Sequence, residues 1–157
     1  MRYLKLFENF DDMVNYLSNG VEIRKYLKDI FLELQDEGFV INISLNQISQ
    51  TSHYFRIDIH KTDYPVSWSP KESDRFTLKD IWPILQTANT YMTEEGYTLN
   101  LLSGVVPDKS GGRSDHRGYP TYYMKVSPED IKPDDRFKFL YNFFDDELFS
   151  LRIEFRK

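Results

Sequence analysis

The segment GVVPDKSGGRSDHRGYP, residues 104–120, gathers more potentially reactive side chains than any other stretch of the chain. Arg113 and Arg117 could grip a carboxylate or a phosphate, because a guanidinium presents a planar fork of donors. Lys109, Arg113 and Arg117 stand against Asp108 and Asp115, leaving one net positive charge. GVVPDKS invites comparison with the phosphate-binding P-loop, but it is one residue short and has Asp108 where the final glycine belongs. No helix is expected after Ser110 to aim amides at a phosphate, so that reading fails. His116 beside Asp115, with Ser110 or Ser114 nearby, has the residue types of a hydrolytic dyad. Neighbours on one loop seldom converge as a nucleophile and its base must. There is no cysteine and no G-x-S-x-G elbow. No catalytic residue is assigned, and the plainer account of the segment is a polar loop tip.

The elements that would carry such a loop are set by a repetition. LQDEGFVINI (34–43) and MTEEGYTLNL (92–101) superpose Gly38 on Gly96 and Asn42 on Asn100, an offset of 58. FRIDIHK (55–61) and LRIEFRK (151–157) superpose Arg56 on Arg152, Ile57 on Ile153 and Asp58 on Glu154, an offset of 96. Before the first decapeptide, Ile23, Tyr26, Leu27, Ile30 and Leu34 have helical spacing; before the second, Leu78, Ile81, Leu85, Ala88 and Met92 do. Thr77 and Asp80 resemble a capping box, which puts a helix start near position 77. Pro83 either kinks that helix or moves its regular part towards Asp80. Gly38 and Gly96 suit left-handed C-terminal caps. After each glycine the period falls to two: Phe39, Ile41, Ile43 and Leu45 in one copy, Tyr97, Leu99 and Leu101 in the other.

The expected fold is therefore α+β: a two-layer sandwich from a duplicated helix–strand–strand unit, related to a permuted ferredoxin-like arrangement. A four-stranded, mainly antiparallel sheet would carry both helices on one face. One such unit cannot cover its own apolar face, and a duplicate supplies the missing half. The 157 residues form one domain. Residues 1–20 are an N-terminal arm and 21–61 the first unit. The second unit is 77–102 with 148–157, and 103–147 is a long insertion in its hairpin. That insertion holds four of the 7 glycines and four of the 7 prolines. Within it Tyr122–Val126 suits an added strand and Asp134–Phe144 a short aromatic helix. The link 62–75 is polar and is expected to be ordered around Trp68.

Strand alternation would display Asn42, Arg56, Asp58, His60, Thr98, Asn100, Arg152, Glu154 and Arg156 on the open face. The strand aromatics fall on the buried face, which disfavours an RNA-recognition sheet. Mixed charges on adjacent strands read most simply as cross-strand pairs. Asp58 and His60 could both face one metal ion, but their counterparts are Glu154 and Arg156, and an arginine opposes a cation. His53 and His116 lack companions at ligand spacing, so neither metal nor cofactor is expected.

Cysteine is absent, which fits a reducing compartment. A net charge of −5 disfavours a nucleic-acid partner held mainly by phosphate contacts. No apolar run approaches the roughly 20 residues that span a bilayer. The start MRYLKLFENF lacks the apolar segment of a secretory signal, so a soluble protein of the cell interior is expected. In that start Tyr3, Leu4, Phe7 and Phe10 could pack on the domain as an amphipathic arm.

MRYLKLFENF resembles the short leaders of many small tailed-phage proteins. In T-even-like phages such leaders direct internal proteins into the prohead, where a protease cuts after Leu-x-Glu or Ile-x-Glu; Leu6-Phe7-Glu8 matches. The helix LKDIFLELQDEGF is likewise similar to segments of uncharacterised phage proteins. The resemblance implies a virion component or a host-cytoplasmic factor, acting by protein–protein contact or self-association. Tyr119, Tyr122 and Tyr123 are candidate anchors for such contact. The alternative is a ligand or nucleic-acid binder using Arg113, His116 and Arg117 together with Arg56.

Overall fold

The structure, a computed structural model, describes residues 19–49, 52–61, 72–106, 122–126, 135, 137 and 144–157. Helix α1 covers 19–30 and, after a turn at Phe31, continues as α2, Leu32–Asp36. The strands β1, Val40–Ser49, and β2, Ser52–His60, form an antiparallel hairpin after it. A 3-10 turn, Glu72–Asp74, leads to the short β3, Phe76–Thr77, and to α3, Leu78–Glu94. Then come β4, Thr98–Val106; β5, Tyr122–Val126; β6, Glu147–Leu148; and β7, Ser150–Arg156.

The main sheet has the order β1-β2-β7-β4-β5, and every neighbouring pair is antiparallel. It has five strands where the repetition predicts four. The fifth is β5, the added strand expected at Tyr122–Val126, which extends the second hairpin beyond β4. A second, two-stranded sheet joins β3 to β6.

Local chemistry explains the helix ends. Thr77 and Asp80 form a complete capping box, so α3 starts at Leu78 and Pro83 lies inside it. Both helical segments stop at a glycine with positive φ, 90° at Gly38 and 83° at Gly96. The capping bonds are the same at both sites: Gly38 N–H to Gln35 and Phe39 N–H to Leu34, then Gly96 N–H to Thr93 and Tyr97 N–H to Met92. This is the Schellman pattern, which a glycine enters without Cβ strain.

Ile23, Leu27, Phe31 and Leu34 join Leu78, Ile81, Leu85, Ala88 and Met92 in one hydrophobic core. Phe39, Ile43, Phe55, Ile57, Ile59, Leu99, Leu151, Ile153 and Phe155 supply its sheet side. Tyr26 leaves the predicted stripe: it is 53% exposed and packs its ring on Tyr91, with centroids 4.3 Å apart. Ile41 and Leu45 are only half-buried because β1 is an outer strand. Within the expected helix from Asp134 to Phe144, Asp135 and Phe137 are helical. Phe137 stacks on Trp82 at 4.8 Å, Phe144 meets the same ring edge-on, and the Phe144 carbonyl accepts Lys79 N–H at the start of α3.

One strand departs from its predicted phase. Leu99 pairs with Phe155, but the register shifts, and Leu101 pairs with Glu154 while Leu102 pairs with Ile153. An extra residue in one strand moves everything after it to the opposite face. Leu101 is therefore in the outward row rather than the core row, and only half-buried. The arm 1–18, including Tyr3, Leu4, Phe7 and Phe10, and the link 62–71 with Trp68 lie outside the described residues.

Candidate functional site

The helices cover one face of the sheet, and the other face carries the even-numbered residues of β1, β2 and β7. The ladders arrange them in rows. Asn46, Tyr54, Arg156 and Thr98 form one; Ser44, Arg56, Glu154 and Leu101 the next; Asn42, Asp58, Arg152 and Ser103 the third.

At the centre sits Glu154, only 4% exposed although it lies on the outward phase. Arg56 donates to its Oε1 from Nε at 3.1 Å with Nη2 also 3.1 Å from that oxygen, and Arg156 Nη2 stands 3.7 Å from Oε2. A carboxylate this far out of water needs such partners, since an unpaired buried charge costs several kcal/mol. Arg152 Nε holds Asp58 Oδ1 at 2.6 Å in the adjacent row. These are the cross-strand pairs that alternation predicts.

Tyr54 is absent from the predicted face, because that prediction sends the strand aromatics to the core. It lies in phase with Arg56 and Asp58, half-buried. The Arg56 guanidinium is 5.5 Å from its ring centroid and that of Arg156 5.2 Å, both within cation–π range. Tyr54 Oη also accepts from Arg56 Nη2 at 3.0 Å. The alternation that identifies Arg56 and Asp58 also contains Tyr54; the general placing of aromatics inside hides it. Around Tyr54, three arginines and two carboxylates leave one net positive charge on a chain whose total is −5. Arg152 and Arg156 remain 46% and 44% exposed.

Of the predicted binding residues, Arg56 is on this face but already engaged with Glu154. Arg113, His116, Arg117 and Tyr119 lie outside the described residues. Tyr122 and Tyr123 are in β5, with backbones opposite Val106 and Val105. His60 is buried rather than displayed, and the Asp58 carboxylate is occupied by Arg152. Among the described residues, no three His, Asp or Glu side chains come within reach of one metal ion. No described helix is long and apolar enough to cross a membrane.

On the core side, at the Tyr54 end of the sheet, His53 and Tyr97 share a hydrogen bond between Nε2 and Oη. Burial, aided by the Lys157 ammonium, holds His53 below the ordinary imidazole range. Burial, with smaller contributions from Glu95 and Tyr91, pushes the Tyr97 phenol up to about 12. Both groups are thus neutral near pH 7, as a buried polar pair in an aromatic setting requires. Across the helix layer, Tyr26, Pro83, Gln86, Thr87, Tyr91 and Glu94 line an open groove of about 410 Å³. It contains no cluster of reactive groups.

Comparison with family models, with curated proteins and with solved structures finds no match to this chain.

Proposed function

We propose that the chain is a non-catalytic protein working by protein–protein contact, with the outward sheet face around Tyr54 as its contact surface. The observation that carries this reading is Tyr54 held against the guanidiniums of Arg56 and Arg156. Tyrosine and arginine anchor protein interfaces more than most residues, because they combine broad, stiff contact area with donors at the edge. Arg156 adds reach: at 3.7 Å from Glu154 and 44% exposed, it can turn donors to a partner's carboxylate.

The scaffold is proposed to be the duplicated helix–strand–strand unit, in a permuted ferredoxin-like arrangement. The order β1-β2-β7-β4 supports this, since it sets two antiparallel hairpins back to back. The matching capping bonds at Gly38 and Gly96 support it as well. The leader-like MRYLKLFENF supports a tailed-phage setting, as a virion component or a host-factor binder. The alternative, a ligand or nucleic-acid site on residues 104–120 helped by Arg56, is weakened by the commitment of Arg56 to Glu154.

A photo-crosslinking residue at position 54 tests the surface. It should capture from lysate a protein that the same residue at Lys25, exposed on α1, does not. Capture from position 25 alone would move the contact to the helix layer.

A further inference from the structure

We propose that two copies of this chain pair edge to edge through β1, joining their sheets antiparallel. β1 is an outermost strand of 10 residues, VINISLNQIS, without a charged residue, proline or glycine. Sheet edges are ordinarily guarded by such residues, by bulges or by being short, because a row of open N–H and C=O groups recruits another strand; β1 has one irregularity of this kind, a register shift between Gln47 and Ser49. Among the described residues, β1 has a ladder with β2 alone, and one carbonyl, that of Ile43, accepts Arg24 Nε at 2.9 Å.

The opposite end of the sheet indicates what such an edge takes. β4 corresponds to β1 through Asn100 and Asn42, and its outer side is filled by β5, antiparallel over Leu102–Val106. No described strand occupies the corresponding side of β1.

Apolar surface lies beside that edge. Val21, next to the Gly20 backbone that packs on Leu45, is 65% exposed, and Ile48 is 52% exposed. Leu45 belongs to the core phase yet stays half-buried, whereas Ile57 and Ile59 one strand inward are 0% exposed. An added strand with apolar residues in the same phase would complete this cover.

A second copy of β1 suits the Leu45–Ser49 end of this edge. An uncharged strand runs antiparallel to itself with no like charges opposed, whatever the register. Two-fold pairing is isologous, so one patch serves both partners, and each copy brings its own Val21 and Ile48 to the seam. Because Arg24 holds the Ile43 carbonyl, the pairing falls on Leu45–Ser49, with the axis near Gln47.

Analytical ultracentrifugation of the full chain across the micromolar range, with amide exchange at Leu45 and Gln47, which alternate outward with the Ile43 carbonyl, tests the proposal. The expected result is a concentration-dependent dimer in which those amides become protected. Gln47→Lys/Ile48→Lys, at two exposed positions, should weaken the dimer about tenfold or more by opposing like charges at the axis, with the far-UV spectrum unchanged. Mixing that variant with Gln47→Glu/Ile48→Glu should restore pairing as a mixed dimer. A chain monomeric throughout overturns the proposal, and so does a dimer indifferent to the lysines. A monomer with the outward amides of Leu45 and Gln47 already protected overturns it too, because the edge is then covered by the chain itself. The Tyr54 surface is separate and stands or falls by its own crosslinking test.

Discussion

Ile57 pairs across the sheet with Ile153, at the midpoint of the β2–β7 ladder and with both side chains buried. These are also the residues that the 96-position offset of the sequence repeat aligns. On either side, Arg56 meets Glu154 and Arg152 meets Asp58. The same offset aligns Arg56 with Arg152 and Asp58 with Glu154. Further out, Lys61 lies 5.1 Å over the Phe39 ring and Lys157 5.0 Å over the Tyr97 ring, again in corresponding positions.

Truncation at this buried ladder midpoint should be costly at either residue. Ile57→Ala and Ile153→Ala are each expected to lose about 2–5 kcal/mol in chemical denaturation, from lost transfer energy plus a cavity. Leu99→Ala belongs with them at 5% exposure. Ile41→Ala, on the half-covered outer strand, should cost less than Leu99→Ala despite its matching place in the repeat. Asn42→Ala, exposed on the other phase, should stay within about 1 kcal/mol.

The two ion pairs match in the sequence repeat but differ in environment, and mutation should separate them. Arg56→Ala leaves the Glu154 carboxylate, 6% exposed, with Arg156 at 3.7 Å. Its cost should approach the roughly 3–5 kcal/mol of breaking a buried pair, reduced because Arg56 itself is 30% exposed. Arg152→Ala opens a pair exposed by 46% and 29%, and should cost no more than about 1 kcal/mol. Denaturation midpoints of the two variants provide the comparison.

Much of this is legible in the sequence, for local reasons. Gly38 and Gly96 announce their caps because a positive φ all but demands glycine, and Thr77 with Asp80 announces a helix start because the box is closed by neighbouring residues. Alternation in β1 and β2 carries the face assignment, including the Arg56 and Asp58 pairs. The phase of Leu101 is not legible: a single extra residue opposite β7 leaves the composition of β4 unaltered while reversing the phase of every later residue in the strand. The burial of Glu154 is not legible either, since it arises from residues on three strands. Tyr54 escapes because aromatics are expected inside, although its place beside Arg56 is plain from the spacing.

Acid should loosen the fold through His53. Its pKa lies below the ordinary 6.5 when folded, so the unfolded chain binds the proton first as pH falls. Stability is full above about pH 6.5 and declines as pH drops from there through the folded pKa. Tyr97 acts at the other extreme: raised to about 12, it favours the fold below the ordinary 10.0, and that advantage is lost as pH climbs through the folded value. Denaturation midpoints should fall between pH 7 and pH 5 in the wild type and flatten over that span in His53→Phe. Phenylalanine is the residue at the corresponding position, Phe149.

Removing the tip of the 107–121 connection should leave the fold standing. Val106 and Tyr122 are cross-strand partners, so the connection starts and ends at one place. Deleting 108–118 leaves four residues to close that hairpin, within the usual range of tight loops. Circular dichroism and the denaturation midpoint should stay near wild type, whereas loss of cooperative unfolding would give the segment a part in the core.

The contact surface itself is tested most directly by affinity. With the partner captured at position 54 in hand, its Kd should be measured for the wild type, Tyr54→Ala, Arg156→Ala and the helix-layer control Lys25→Ala. The expected result is a loss of about tenfold or more for each of the first two, equivalent to about 1.4 kcal/mol or more, with the control unchanged and all four equally folded. An affinity indifferent to Tyr54 and Arg156, or one lost only in Lys25→Ala, would contradict a working surface on the outward sheet face.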